Sequence, residues 1–255
     1  MKIYNDFIGN DDSNIVSNFN GGDNITNFNE NAPKQSPDWY YHNTEITYSF
    51  NNQGHRCKNF EDIDQNNYIL FTGCSHTMGT GLELEKTYPY LLSKELGMDY
   101  YNLAIPASGM DIVEYNLLTW LFKIQKKPRL VVIQWPDHSR FAEYDPLRNN
   151  VMARGTWQQL EDNYISFIAN SEDTGLAYAR KYLTFKLLEN SIDLPLVTFN
   201  YGNQEGYSIY DLNMPRIDKA RDLAHAGINS HASFTKTLVN HIEVNRLIKR
   251  DKYGI

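Results

Sequence analysis

The chain has 255 residues, enough to bury one sizeable core, and its 41% hydrophobic and 13% aromatic content is that of a globular protein. With 24 Lys and Arg against 31 Asp and Glu, the net charge is −7, which leaves no electrostatic footprint for nucleic-acid binding, and two cysteines exclude a disulfide framework. No apolar run is long enough to cross a bilayer and the N-terminus lacks a signal-peptide pattern, so we expect a soluble protein, either cytoplasmic or virion-associated.

The first segment, residues 1–37, is rich in Asn, Asp and Gly and predicts a polar arm of turns without a core of its own. Two arrangements stay open: the arm packs on its own domain, or it docks on a neighbouring chain in a homo-oligomer or a virion. In residues 38–66, alternating aromatic and β-branched positions at 39–50 precede a turn at 51–54. This pattern predicts a hairpin that packs on the main domain.

Residues 67–255 alternate between buried strands and amphipathic helices, the pattern of a parallel sheet with helices on both faces. We predict a three-layer α/β/α flavodoxin-like sandwich with a mainly parallel five-stranded sheet in the order 2-1-3-4-5. The predicted strands cover 68–72, 100–104, 130–135 and 194–199, and the predicted helices cover 85–96, 110–125, 156–170, 176–190 and 230–250.

A glycine-rich polar turn at 73–81 follows the first strand and precedes the first helix. Ligands bind at the carboxyl ends of parallel strands, where loops gather and helix N-termini present free N–H groups. Ser75 in this turn is therefore a candidate nucleophile beside N–H groups that can hold an oxyanion. The alternative interpretation is that Ser75 and Thr77 only cap the helix.

A second polar cluster, Asp222 and His225, lies directly before the last helix. An Asp three residues before a His can accept the imidazole Nδ1–H and leave Nε2 free to remove a serine proton. The alternative is that Asp222 caps the helix and His225 is a surface residue. After the second strand, the Gly109 N–H is a candidate second oxyanion donor, or Gly109 is simply a flexible helix entry.

A strand followed by G-x-S-x-T-x-G at 73–79, with a late D-x-x-H at 222–225, resembles the SGNH (GDSL-like) hydrolases over about residues 48–238. The resemblance implies that Ser75 attacks an ester, that the N–H groups of Ser75 and Gly109 bind the oxyanion, that His225 is the base and that Asp222 orients it. It also implies an acyl-enzyme without any cofactor and, as substrate, a small acyl group on a carbohydrate or a similar glycan ester.

The chain departs from this family in two places. Cys74 stands where the family has an aspartate, and the segment after strand three lacks the family's Gly-x-Asn-Asp. Losing one oxyanion donor costs roughly 10²–10³ in rate, so Gln134, His138 or Arg140 is expected to substitute for the missing asparagine. The variant segment is similar to divergent members found in marine bacteriophages.

Three other interpretations stay open. Cys74 is a rival nucleophile, because a thiolate is plausible at a helix N-terminus. Asp222, His225 and His231 form a potential metal set, although the histidines lack the i, i+4 spacing of a helical pair.

The third interpretation is a catalytically inactive domain that binds glycans or has a structural role. In that case Trp135, Trp157 and Tyr88 stack on sugars. The missing asparagine favours this interpretation, and the presence of Ser75 and His225 favours catalysis.

Overall fold

The computed structural model describes residues 7–8, 13–137, 140–145, 150–155, 172–192, 194–201 and 210–248. In chain order the strands and α-helices are β1 (Val16–Ser17), α1 (Ile25–Asn31), β2 (Tyr48–Ser49), β3 (Tyr68–Thr72), α2 (Ser75–Met78), α3 (Tyr88–Glu95), β4 (Asp99–Asn102), α4 (Met110–Lys123), β5 (Leu130–Trp135), β6 (Phe141–Asp145), β7 (Asn150–Arg154), α5 (Glu172–Ile192), β8 (Leu196–Tyr201), β9 (Leu212–Met214) and α6 (Ile228–Val244).

The central sheet has five strands in the order β4-β3-β5-β8-β9, and every neighbouring pair is parallel. Numbered along the chain, these strands stand in the order 2-1-3-4-5, which confirms the predicted topology. The register places Ile69 opposite Leu130 and Val132 opposite Val197. The position of the fifth strand, β9, was not predicted, because a strand of three residues at the sheet edge is too short to give a recognisable pattern.

Both faces of the sheet are covered by helices, which is why every residue of β3 and β5 is buried. One apolar cluster joins β3 and β5 to α4 and α5 through side chains such as Leu117, Trp120 and Phe185. A second cluster on the other face joins the sheet to α3 and α6 through Leu92, Phe234 and Leu238. The result is the predicted three-layer α/β fold.

Several helix boundaries differ from the predicted ones. The helix expected from residue 85 begins at Tyr88, where Pro89 occupies the first turn, and a 3₁₀ turn at Leu84–Lys86 precedes it. The last helix ends at Val244, because Arg246 adopts a left-handed backbone conformation with φ 52°. The predicted helix at 156–170 lies outside the described residues.

Within the segment 38–66, the alternating run at 39–50 does not form the predicted hairpin. Tyr40–His42 forms a 3₁₀ turn, and β2 pairs antiparallel with β1 of the N-terminal arm. The alternation itself is real, since Ile46, Tyr48 and Phe50 are all buried, but alternation does not identify the partner strand. The arm packs on its own domain along this pair.

An antiparallel pair, β6 with β7, follows the central strand β5 and was not predicted. The proposed division of the chain at residues 37 and 66 stays a prediction. No helix in the described ranges has the length and apolar composition needed to cross a membrane.

Candidate active site

The serine turn is fixed to the neighbouring central strand. Ser75 is the first residue of α2, directly beyond the carboxyl end of β3, and its side chain is buried. The Gln134 carboxamide on β5 accepts hydrogen bonds from the Cys74 N–H at 3.2 Å and the Thr77 hydroxyl at 2.6 Å. Thr77 therefore does not cap the helix, and the turn is held against β5.

A second set of contacts fixes Thr77. The Tyr88 hydroxyl donates to Thr77 Oγ1 at 3.0 Å, and Asn102 Nδ2 donates to the Thr77 carbonyl at 2.9 Å. Burial raises the pKa of Tyr88 well above its ordinary value, so this donor keeps its proton. The turn that carries Ser75 is thus held by side chains from α3 and the end of β4 as well as from β5.

Asp222 and His225 share one tight turn. The Ala220 N–H donates to the His225 carbonyl at 3.0 Å, and Leu223 adopts the left-handed conformation with φ 59°. The Asp222 carboxylate accepts from the N–H groups of Ala224 at 3.1 Å and His225 at 3.0 Å. These bonds orient the carboxylate toward the imidazole of His225.

The turn and the serine meet in one line of hydrogen bonds. His225 Nδ1 donates to Asp222 Oδ2, and the Ser75 hydroxyl donates to His225 Nε2 at 2.7 Å. Burial alone would raise the pKa of Asp222, but the bonds from His225 and the backbone lower it below its ordinary value. An ionised Asp222 keeps the proton on Nδ1, so Nε2 is free to accept the serine proton.

The alternative role for Asp222, as the cap of the last helix, is filled by a different residue. Asp218 accepts from the N–H groups of Asn229 and Ser230, each at 2.9 Å, and from the Ser230 hydroxyl at 2.8 Å. The side chain of Asp222 faces His225 instead.

His76, which was not among the predicted site residues, lies beside His225. Its ring packs against Tyr201 with centroids 3.7 Å apart and planes tilted by 32°, and it lies 4.8 Å from the ring of His225. Burial, and then repulsion from His225, His231, Arg140 and Arg216, lowers the pKa of His76 well below its ordinary value. A neutral His76 therefore packs against His225 without adding a charge.

Two backbone N–H groups, those of Ser75 and Gly109, were predicted to bind the oxyanion. Neither the Ser75 nor the Gly109 N–H donates to another residue in the described part of the chain. Gly109 lies so close to the loop after β5 that an added Cβ would be 2.6 Å from the Arg140 carbonyl oxygen. Residue 109 must therefore be glycine for this loop to approach.

The three candidate substitutes for the missing asparagine differ in placement. Gln134 uses its oxygen for the serine turn, and its Nε2 donates to Cys74 Sγ at 3.1 Å. His138 lies outside the described residues. The Arg140 backbone lies against Gly109, and the Arg140 charge helps to lower the pKa of His76, which lies beside His225.

The rival nucleophile and the rival metal site are not assembled. Cys74 Sγ faces the Gln134 amide, whereas His225 Nε2 contacts Ser75. His231 Nδ1 accepts the Tyr88 N–H at 2.9 Å, and burial lowers the pKa of His231 to about 3. Within the described ranges no three His, Cys, Asp or Glu side chains converge as metal ligands.

Two of the three proposed sugar-stacking aromatics are buried. Trp135 and Tyr88 are 1% and 0% exposed, so neither can stack on a glycan, and this part of the binding-module hypothesis is wrong. Trp157 lies outside the described residues.

No protein-family model and no curated protein matches the chain, whereas solved structures do. A carbohydrate esterase, whose active site is described as displaying divergent catalytic and non-catalytic binding functions, is 14% identical over 71% of this chain and 66% of its own, with a TM-score of 0.46. An acetyl xylan esterase from the rumen bacterium Butyrivibrio proteoclasticus is 13% identical over 70% of this chain and 64% of its own, with a TM-score of 0.45. A psychrotrophic esterase from Pseudoalteromonas sp. is 13% identical over 70% of this chain and 97% of its own, with a TM-score of 0.41.

This chain spans just under two thirds of the length of the two carbohydrate esterases. A lipolytic protein of the G-D-S-L family from Desulfitobacterium hafniense is also similar, with 11% identity over 72% of this chain and 75% of its own and a TM-score of 0.32. The roles of individual residues rest on the contacts within this chain.

Proposed function

We propose that this protein is a serine esterase that hydrolyses a carboxylic ester through an acyl-enzyme on Ser75. The observation that carries the proposal is the 2.7 Å hydrogen bond from the Ser75 hydroxyl to His225 Nε2, with Asp222 on the opposite ring nitrogen. The nucleophile thus contacts the base, and the base contacts the group that orients it.

In the acylation step, Ser75 Oγ bonds to the acyl carbon while its proton passes to His225 Nε2. The carboxylate of Asp222 stabilises the imidazolium that forms. When the tetrahedral intermediate collapses, the bond to the leaving alcohol breaks and the alcohol oxygen takes the proton from Nε2. Water then repeats the sequence on the acyl-enzyme, which releases the carboxylic acid and restores Ser75.

The negative charge on the tetrahedral oxygen requires preorganised donors. We assign this role to the N–H groups of Ser75 and Gly109, with Arg140 in place of the missing asparagine. Gln134 is the weaker candidate, because its carboxamide already holds Cys74 and Thr77. Arg140 is supported by its position against Gly109 and by the action of its charge on His76.

The substrate class we propose is a small acyl group, such as acetate, on a carbohydrate hydroxyl, as the sequence resemblance implies. Hydrolysis of such an ester needs no cofactor. All the proton transfers described above are performed by Ser75 and His225.

The test combines a chromogenic acetate ester with a fluorophosphonate probe, which reacts with activated serines. We expect the wild type to turn over the ester and to be labelled on Ser75, with activity that falls at low pH because the reaction needs an unprotonated base. Ser75→Ala should lose both turnover and labelling. The matched variant Cys74→Ala, one residue away in the same turn, should keep both.

Two outcomes would contradict the proposal. Activity that survives Ser75→Ala but not Cys74→Ala would transfer the chemistry to the thiol. A wild type without turnover or labelling would leave a domain that binds but does not hydrolyse.

A further inference from the structure

The N-terminal arm reaches the Asp222–His225 turn. A Cβ built on Gly22 would lie 3.6 Å from Asp222 Oδ2 and 3.9 Å from His225 Cε1. The backbone of the arm at Gly22 is thus close enough to the Asp222–His225 hydrogen bond that any side chain at this position would contact both residues. Nothing in the reaction sequence above uses this contact.

The neighbouring residue of the arm forms a buried ion pair next to Asp222. Arg221 Nη2 lies 2.7 Å from Asp23 Oδ2, and Arg221 Nε lies 3.0 Å from Asp23 Oδ1. Asp23 is 1% exposed and Arg221 is 4% exposed, and 198 residues separate them in the sequence. A fork of two donors on one carboxylate fixes the orientation of both groups.

Other contacts make this ion pair rigid. The Arg221 guanidinium lies over the ring of Phe19 at 4.3 Å and also contacts the ring of Phe28 at 5.7 Å. Tyr48 donates its hydroxyl proton to Asp23 at 2.6 Å and accepts the Gly81 N–H at 2.7 Å.

The Gly81 carbonyl in turn accepts the Arg221 N–H at 3.1 Å. The contacts therefore form a closed circuit that runs from the arm through β2 to the segment after the serine turn and back to Arg221. The residue that follows Arg221 is Asp222.

We propose that the arm is a working part of the active site, in which Asp23 acts through Arg221 as a positioning residue for the Asp222–His225 pair. Gly22 forms the wall of the site beside the imidazole. This inference rests on the proposed esterase function. It assigns to the arm a role in catalysis rather than only in packing.

Several charged and titratable groups of the described residues surround His225. Asp222 lies on its own turn, and the neutral rings of His76 and His231 lie on α2 and α6. Arg140 and Arg216 act on His76, and Asp218 acts on His231. The ion pair of Asp23 with Arg221 joins the arm to the residue before Asp222. Removing one partner of this pair changes the net charge beside the turn by one, whereas removing both leaves the net charge unchanged.

The experiment compares Asp23→Asn, Arg221→Gln and the double variant with Lys34→Gln as matched control. Lys34 is an exposed charged residue of the same arm, and its amino group contacts Asn31. With active sites counted by fluorophosphonate titration, we expect kcat to fall roughly ten- to hundredfold in the three test variants, with little change in KM, because misaligned reacting groups cost rate rather than binding. Lys34→Gln should keep the wild-type kcat.

The pH profile separates positioning from packing. In Asp23→Asn the unpaired Arg221 leaves a positive charge beside the turn, so the acid limb of kcat should move to lower pH. In Arg221→Gln the unpaired Asp23 leaves a negative charge, so the limb should move to higher pH. The double variant should return the limb to its wild-type position while kcat stays low.

Breaking one partner of a buried ion pair is strongly destabilising, so the double variant, which buries no unpaired charge, carries the test if either single variant does not fold. Wild-type kcat in the folded double variant would overturn the proposal. So would acid limbs that do not separate in folded single variants.

A second readout is independent of turnover. The His225 Nδ1 proton, held against Asp222, should give a downfield proton NMR signal in the wild type and in Lys34→Gln, and the signal should be shifted or lost in the double variant. If the wild type lacks esterase activity, the proposed function fails while this signal still tests positioning. An unchanged signal in the double variant would contradict the role of Asp23.

Discussion

The two sides of Ser75 are built differently. On the base side, Asp222, His225 and Ser75 form a complete line of hydrogen bonds. On the proposed oxyanion side, the closest approach is between Gly109 and the loop after β5, where an added Cβ on Gly109 would lie 2.6 Å from the Arg140 carbonyl oxygen. The groups that would move the proton are thus already in contact with one another, whereas the proposed oxyanion donors are brought together only by the packing of separate loops.

The largest expected effect comes from breaking the base side. In Asp222→Asn the carboxamide can donate to Nδ1, which places the imidazole proton on Nε2, facing Ser75. We expect kcat to fall about 10⁴-fold, measured on the chromogenic ester.

The matched control is Asp218→Asn, a carboxylate four residues earlier that caps α6. It should lose about 1 kcal/mol of stability and keep its kcat. Equal losses of kcat in the two variants would mean that the turn, rather than the carboxylate of Asp222, is what matters.

A smaller effect is expected on the oxyanion side. Arg140→Ala should lower kcat by roughly 10²–10³ with little change in KM, because a donor to the tetrahedral oxygen acts mainly in the transition state. Arg216→Ala is the control, since Arg216 also acts on His76 but lies exposed over the ring of Tyr201 at 4.5 Å. If both arginines cost the same, the contribution of Arg140 is a general field and not a donor.

The smallest effect concerns the base side, which the N-terminal arm contacts, and compares how the arm and the central sheet respond to denaturant. Helix α1 has no buried residue and β1 pairs with β2 over two residues, whereas the sheet is packed on both faces. We expect esterase activity to be lost at a urea midpoint about 0.5–1 M below that of far-UV circular dichroism, because the arm opens first. Coincident midpoints would show that the arm and the sheet unfold as one unit.

The parts of the fold with strong periodic patterns were predictable. The run at 130–135 matches β5 at both ends, and the serine turn and the Asp222–His225 turn stand at the ends of elements that the patterns located. The contact within the second turn was predictable because a spacing of three residues is enough to bring the Asp222 carboxylate next to the His225 imidazole. The sequence therefore predicted which side chains could react, although it did not give their distances.

Contacts between distant segments were not predictable. Asp23 and Arg221 are charged residues in polar stretches of the sequence, and no sequence pattern predicts that either is buried. Tyr48 belongs to an alternating pattern, but its partner strand lies in a segment expected to have only turns. The role of Gln134 in holding the serine turn likewise depends on the register between β3 and β5.

Gly81 joins the segment after the serine turn to the turn that carries Asp222 and His225, because its carbonyl accepts the Arg221 N–H at 3.1 Å. Its φ of +77° and an added Cβ 2.8 Å from Ala220 Cβ leave no room for another residue. A residue added or removed within 76–80 would therefore shift the serine turn relative to the base turn, and no neighbouring side chain at this junction could be exchanged to compensate for the shift.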